Sequence, residues 1–122
     1  MRHNIKGTNI QLTDAITSYL DKRLATLERF VNADDPTLMV DVEVGKTTFH
    51  HQSGDVFRAE INIHVSGKSY RSVAERSDLY SAIDEAKDSM KRELASNKDK
   101  RTSLLRRGGQ RIKDFVRGFY KK

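Results

Sequence analysis

The chain of 122 residues carries 23 Lys and Arg, 17 Asp and Glu, and no cysteine, so neither a disulfide framework nor a thiolate metal site is available to it. Its length suits one domain with a modest core. No apolar run is long enough for a signal sequence or a membrane span, which makes a cytoplasmic protein the expectation.

The net charge of +6 conceals a split. Residues 1–97 hold 13 basic and 15 acidic side chains, whereas residues 98–122 hold 10 basic and 2 acidic. Such asymmetry points to an appendage for a polyanion, either nucleic acid or an anionic membrane surface.

In chain order, a short extended stretch around Ile5 stops at Gly7. LTDAITSYLDKRLATLERFV then reads as a helix capped by Thr13, with Ile16, Leu20, Leu24, Leu27 and Val31 at helical spacing. NADDP ends it. TLMVDVEVGKT alternates strictly, Leu38, Val40, Val42 and Val44 facing one way. HHQSGD reads as a hairpin loop and VFRAEINIHV as a second alternating strand. SGK makes a tight turn and YRSVAE a last strand. Each strand has one wet and one dry face, as in an antiparallel sheet covered on one side. A second helix is expected from about Ser77 to Asp99, capped by Ser77 or Asp78, with Leu79, Ile83, Ala86, Met90 and Leu94 as its apolar stripe. The order β-α-β-β-β-α packs most economically as an α+β two-layer sandwich, a four-stranded sheet with both helices on one face. The neighbour of the first strand is not set by pattern alone.

Chemistry is scarce. His3, His50, His51 and His64 match no metal-ligand spacing, and exposed histidines account for them. No serine sits in a nucleophile elbow. Gly108–Gly109 lacks the spacing of a phosphate loop and reads as a hinge. Asp84, Glu85 and Asp88 on the second helix are matched by Lys87 and Lys91 at neighbouring turns. No enzyme, cofactor or metal is expected. The basic residues stand out: Lys22, Arg23 and Arg29 on the first helix, Lys87, Lys91 and Arg92 on the second, then Lys98, Lys100 and Arg101. Two parallel helices with basic faces can clamp phosphates on either side of a groove.

NIKGTNIQLTDAI, KRLATLERF and above all SDLYSAIDEAKDSMKREL resemble the family of ribosome hibernation promoting factors and ribosome-associated inhibitors, over residues 1 to about 100. Asp78 to Asp84 carries its most specific signature. The resemblance implies a fold like a double-stranded-RNA-binding domain. It also implies a function: binding the small ribosomal subunit and its rRNA in the messenger and transfer RNA channel, by steric occupation and without a small-molecule substrate. Arg23, Arg29 and Arg92 fall where the family has basic residues. Ser89 replaces a lysine common in the family, and Lys87 and Lys91 shift the basic patch by a turn. Long members add a dimerisation domain, and the roughly 22 residues after Lys100 are too few for it, so ribosome dimerisation by this chain alone is not expected.

Two alternatives stay open at this stage: a general RNA- or DNA-binding module, and a membrane or protein-interaction adaptor acting through the tail. A membrane partner is the less expected. The division is therefore a ribosome-binding domain over 1–100 and a basic amphipathic tail over 101–122. The tail carries Arg106, Arg107, Arg111, Lys113 and Arg117 as further RNA-binding candidates, with Ile112, Phe115, Val116 and Phe119 on one side of a short helix. Oligomeric state is not legible.

Overall fold

Thr13 opens the first helix as the pattern requires. Its backbone is extended and its hydroxyl accepts the Ile16 amide at 3.2 Å, which satisfies one of the free N–H groups of the first turn. The computed structural model describes residues 3–47 and 54–106, the last ten of these as backbone only. Within them the elements are β1 (Asn4–Thr8), α1 (Asp14–Ala25), a 3-10 turn (Glu28–Phe30), β2 (Met39–Thr47), β3 (Val56–Val65), β4 (Lys68–Arg76) and α2 (Leu79–Arg106).

The strands form one sheet in the order β1-β2-β3-β4. Strands β2, β3 and β4 are antiparallel neighbours, but β1 runs parallel to β2, with Ile5 opposite Val42. The sheet is therefore mixed rather than wholly antiparallel. A parallel pair needs a crossover, and α1 supplies it. Alternation sends Val40, Val42, Val44, Ala59, Ile61, Ile63 and Ala74 to the helix side, where Ile16, Leu20, Leu24, Leu27, Leu79, Ile83, Ala86, Met90 and Leu94 meet them in one core. Ser72 is the exception in this layer, buried at 4% exposure. Its hydroxyl donates to the Ala86 carbonyl at 2.8 Å, so its small polar side chain ties α2 to β4 with its hydrogen bond made.

The first helix is shorter than its apolar stripe. At Thr26 the ladder tightens: its amide reaches the Arg23 and Leu24 carbonyls, and its hydroxyl donates to Arg23 O at 2.7 Å. Leu27 N then bonds Leu24 O at 2.9 Å. Bonds to the third residue back wind the chain more tightly, and Leu27 still ends fully buried. The second helix, by contrast, runs beyond Asp99 to Arg106. Asp78 is its cap, its carboxylate accepting the Ser81 amide at 2.9 Å.

Positive φ at Ser66 (51°) and Gly67 (78°) makes the two-residue β3–β4 turn, as a primed hairpin turn requires. Most of the expected HHQSGD loop lies outside the described residues. Gly45 matters for a different reason. A Cβ there meets the Thr8 carbonyl oxygen at 2.9 Å, where β1 pairs with β2. Gly45→Ala is expected to cost about 1–3 kcal/mol through this clash, read as a lower thermal midpoint.

Candidate nucleic-acid interface

The two helices lie side by side over the sheet, and contacts from both reach one shared line. Tyr19 on α1 donates its hydroxyl to Asp84 Oδ1 on α2 at 2.6 Å and accepts from Arg23 Nη2 at 3.0 Å. Arg23 Nε also lies 3.0 Å from Asp84 Oδ1, although its N–H is not aimed at that oxygen, so this contact is an ion pair and not a hydrogen bond. The guanidinium carbon sits 4.7 Å from the Tyr19 ring centre. The hydrogen bond to Asp84, and secondarily burial, push the Tyr19 hydroxyl above its ordinary pKa. Arg23 thus joins the two helices, a contact its charge alone did not reveal.

Further along the same line, Ala25, Thr26 and Arg29 on one side and Lys87 and Lys91 on the other border a groove of about 400 Å³. Later residues of α1 meet later residues of α2, so the helices run in the same direction. Lys91 is exposed. Lys87 is mostly covered, with 16% of its side chain accessible, and pairs with Asp88 at 2.6 Å. The Lys87 hydrogen bond holds Asp88 below the usual carboxylate range, with Arg92 and Lys91 adding to the effect. The residues that border the groove include three cations, Arg29, Lys87 and Lys91, and no carboxylate. Arg29 also borders a larger concavity of about 560 Å³, between the β3–β4 turn and Leu94, where Lys68 and Tyr70 contribute.

The other candidates are dispersed. Lys22 is exposed on α1. Arg92 borders a different concavity with Asp84, Glu85, Asp88 and Ser89, a mainly acidic setting that shares no lining residue with the groove. Lys98, Lys100, Arg101 and Arg106 ride on the final turns of α2, whose side chains are not described. Arg107, Arg111, Lys113 and Arg117, with the short helix expected around them, lie outside the described residues. So do His50 and His51. Among the described residues no group of His, Asp and Glu is arranged to hold a metal ion, and no helix is long and apolar enough to cross a membrane. Sequence reasoning passed over Lys68 and the Tyr19–Tyr80 pair. The spacing of Tyr80, Lys87 and Lys91 on one helical face was the available signal for the latter.

The open face of the sheet is charged differently. Glu60 Oε1 pairs with Arg58 at 2.7 Å, and its Oε2 accepts from Asn62 at 2.9 Å and Arg71 at 3.1 Å. The Asn62 bond, followed by the two arginines, holds the carboxyl below the usual glutamate range against its partial burial. A carboxyl lowered in the folded state contributes stability above its unfolded pKa and loses it as pH falls through the folded value. Glu60→Gln is therefore expected to flatten the acid limb of stability against pH below about pH 4–5, measured by chemical denaturation across that range.

Fold and site together define a small α+β domain with a cationic groove between two parallel helices. Residues 3–102 match the family model described as sigma 54 modulation protein / S30EA ribosomal protein, and the chain belongs to that family. It is 32% identical over 115 residues to the ribosome hibernation promoting factor of Azotobacter vinelandii, covering 93% of this chain and 96% of the relative. The Bacillus subtilis ribosome hibernation promotion factor is 28% identical over 109 residues, and the match spans 89% of this chain but 54% of that relative's length. Among solved structures, the N-terminal domain of Thermus thermophilus Protein Y superposes with a TM-score of 0.65 at 34% identity, over 77% of this chain and 96% of that one. A ribosomal subunit interface protein from Coxiella burnetii shares the fold, with a TM-score of 0.64 at 14% identity over 81% of this chain and 99% of that one.

Proposed function

We propose that this chain is a ribosome hibernation factor that binds the small ribosomal subunit and inhibits translation by occupying the channel for messenger and transfer RNA. The observation that carries the reading is the convergence of Arg29, Lys87 and Lys91 on one groove between parallel helices, in a chain whose relatives are named for ribosome hibernation. Phosphates of ribosomal RNA are the ligands such a groove suits, because point charges from two rigid helices can flank a strand without reading its sequence. Lys98, Lys100, Arg101 and Arg106, further along α2 than the groove, add charge and strengthen the hold. Inhibition follows from exclusion alone, with no chemical step, cofactor or small-molecule substrate.

The test is competition in a purified translation system. The full chain is expected to lower peptide synthesis, and preloading small subunits with messenger and initiator transfer RNA is expected to block its binding. Simultaneous binding of all three, or equal affinity for an unrelated RNA duplex, contradicts occupation of the channel.

A further inference from the structure

Tyr80, Asp84, Lys87 and Lys91 follow one another at i, i+4, i+7 and i+11 along α2, so they share one face. That face is the one that Tyr19, Arg23 and Arg29 approach from the other side. The line is aromatic at one end and cationic at the other.

Tyr80 is 37% exposed, and the other exposed large apolar side chains among the described residues are Met39 and Val73. Those two sit on strands, Met39 opposite His64 on β3 and Val73 on the edge strand β4, where it borders the Arg92 concavity and not the groove. Tyr80 is instead held in place on the helix side. Its ring meets Tyr19 edge to face, 4.8 Å between centres at 86°. Tyr19 is fixed in turn by Asp84 at its hydroxyl and Arg23 over its ring. None of the hydrogen bonds found among the described residues uses the Tyr80 hydroxyl. A partly exposed ring oriented in advance presents aromatic surface at little entropic cost.

We propose that Tyr80 is a stacking platform for one unpaired nucleobase of an RNA strand that lies along the groove, with its phosphates on Lys87, Lys91 and Arg29. The proposal rests on the RNA-binding reading above and adds a base contact to it. The helical rise places Lys87 about 10 Å and Lys91 about 16 Å from Tyr80 along the axis, room for a base and a few backbone phosphates. Asp84 stands between the two ends, but Arg23 matches its charge, so no net negative charge bars the strand. Stacking is tolerant of base identity, because every base has a π-face.

The experiment compares full-length Tyr80→Phe and Tyr80→Leu with the unaltered chain. It reads affinity for isolated small subunits at several salt concentrations, thermal midpoint, and chemical reactivity of ribosomal RNA bases. The expected result is Tyr80→Phe within about twofold and Tyr80→Leu weaker by about tenfold. The slope of log affinity against log salt stays unchanged, because no phosphate contact is lost. One base protected by the unaltered chain should regain reactivity with Tyr80→Leu alone. Equal binding by Tyr80→Leu overturns the platform. So does a loss of binding in both variants that tracks a lower thermal midpoint, which makes Tyr80 only a clamp between helices. An unaltered chain that fails to bind small subunits removes the ribosome reading and the platform together, whereas indifference to Tyr80→Leu removes the platform alone.

Discussion

Replacing Arg29, Lys87 and Lys91 together by alanine is expected to weaken binding to small ribosomal subunits on the order of 100-fold while leaving the fold intact. The three border one groove but come from different places in the chain, the 3-10 turn after α1 and two successive turns of α2. None belongs to the apolar core. Each phosphate contact removed should lower the salt slope by about 1, so the triple variant should lose roughly 2–3 units of slope. That second readout separates lost phosphate contacts from general damage, which leaves the slope of any residual binding unaltered. Lys87 is expected to contribute least of the three in a single substitution, because Asp88 already competes for it at 2.6 Å. Arg92→Ala is the built-in comparison: it removes the same charge from the same helix, but from the acidic concavity on the other flank. Its effect should fall well short of the triple variant's.

The second large effect is on stability. Leu27→Ala is expected to cost about 2–5 kcal/mol, the range for truncating a buried leucine, against a total of about 5–15 kcal/mol for an ordinary domain. The side chain is fully buried and sits where α1 gives way to the 3-10 turn. Partial collapse of the cavity is hindered, because the Leu27 backbone is held between hydrogen bonds to Leu24 O at 2.9 Å and from Phe30 N at 3.0 Å. Thermal unfolding should shift down by roughly 10–20 °C. The loss should also reach the groove, since Arg29 follows two residues later. A midpoint within about 2 °C of the unaltered chain contradicts this placement of Leu27 in the core.

How far the sequence carries depends on which physical signal each residue leaves in it. The period-2 faces of β2 and β3 and the stripe from Leu79 to Leu94 place the same residues in the core that the structure buries, because burial repeats with the backbone period. The Thr13 cap and the SGK turn are equally legible, since local hydrogen bonding and positive φ select those residues. The parallel pairing of β1 with β2 is not legible. Five residues with Gly7 in their midst carry no record of which edge they join, and the register depends on the close approach of Thr8 to Gly45. The early end of α1 is hidden for a related reason, because Leu27 keeps its place in the stripe while the winding beneath it changes.

Charge was legible as content but not as position. Arg23 and Arg29 look alike in the sequence, yet one is bound to Tyr19 and Asp84 and the other borders the groove. Lys91 and Arg92 are adjacent and serve different flanks of α2, as a 100° step per residue requires. Only the packing of α1 against α2 decides which cations converge.

The central claim is most directly tested by co-sedimenting the full chain with purified small ribosomal subunits at low and moderate salt. The account predicts that the protein pellets with the subunits at near-stoichiometric occupancy and is progressively released as salt rises, with the Arg29, Lys87 and Lys91 triple variant remaining largely in the supernatant. A full chain that stays in the supernatant at low salt, or a triple variant that pellets as well as the unaltered chain, contradicts it.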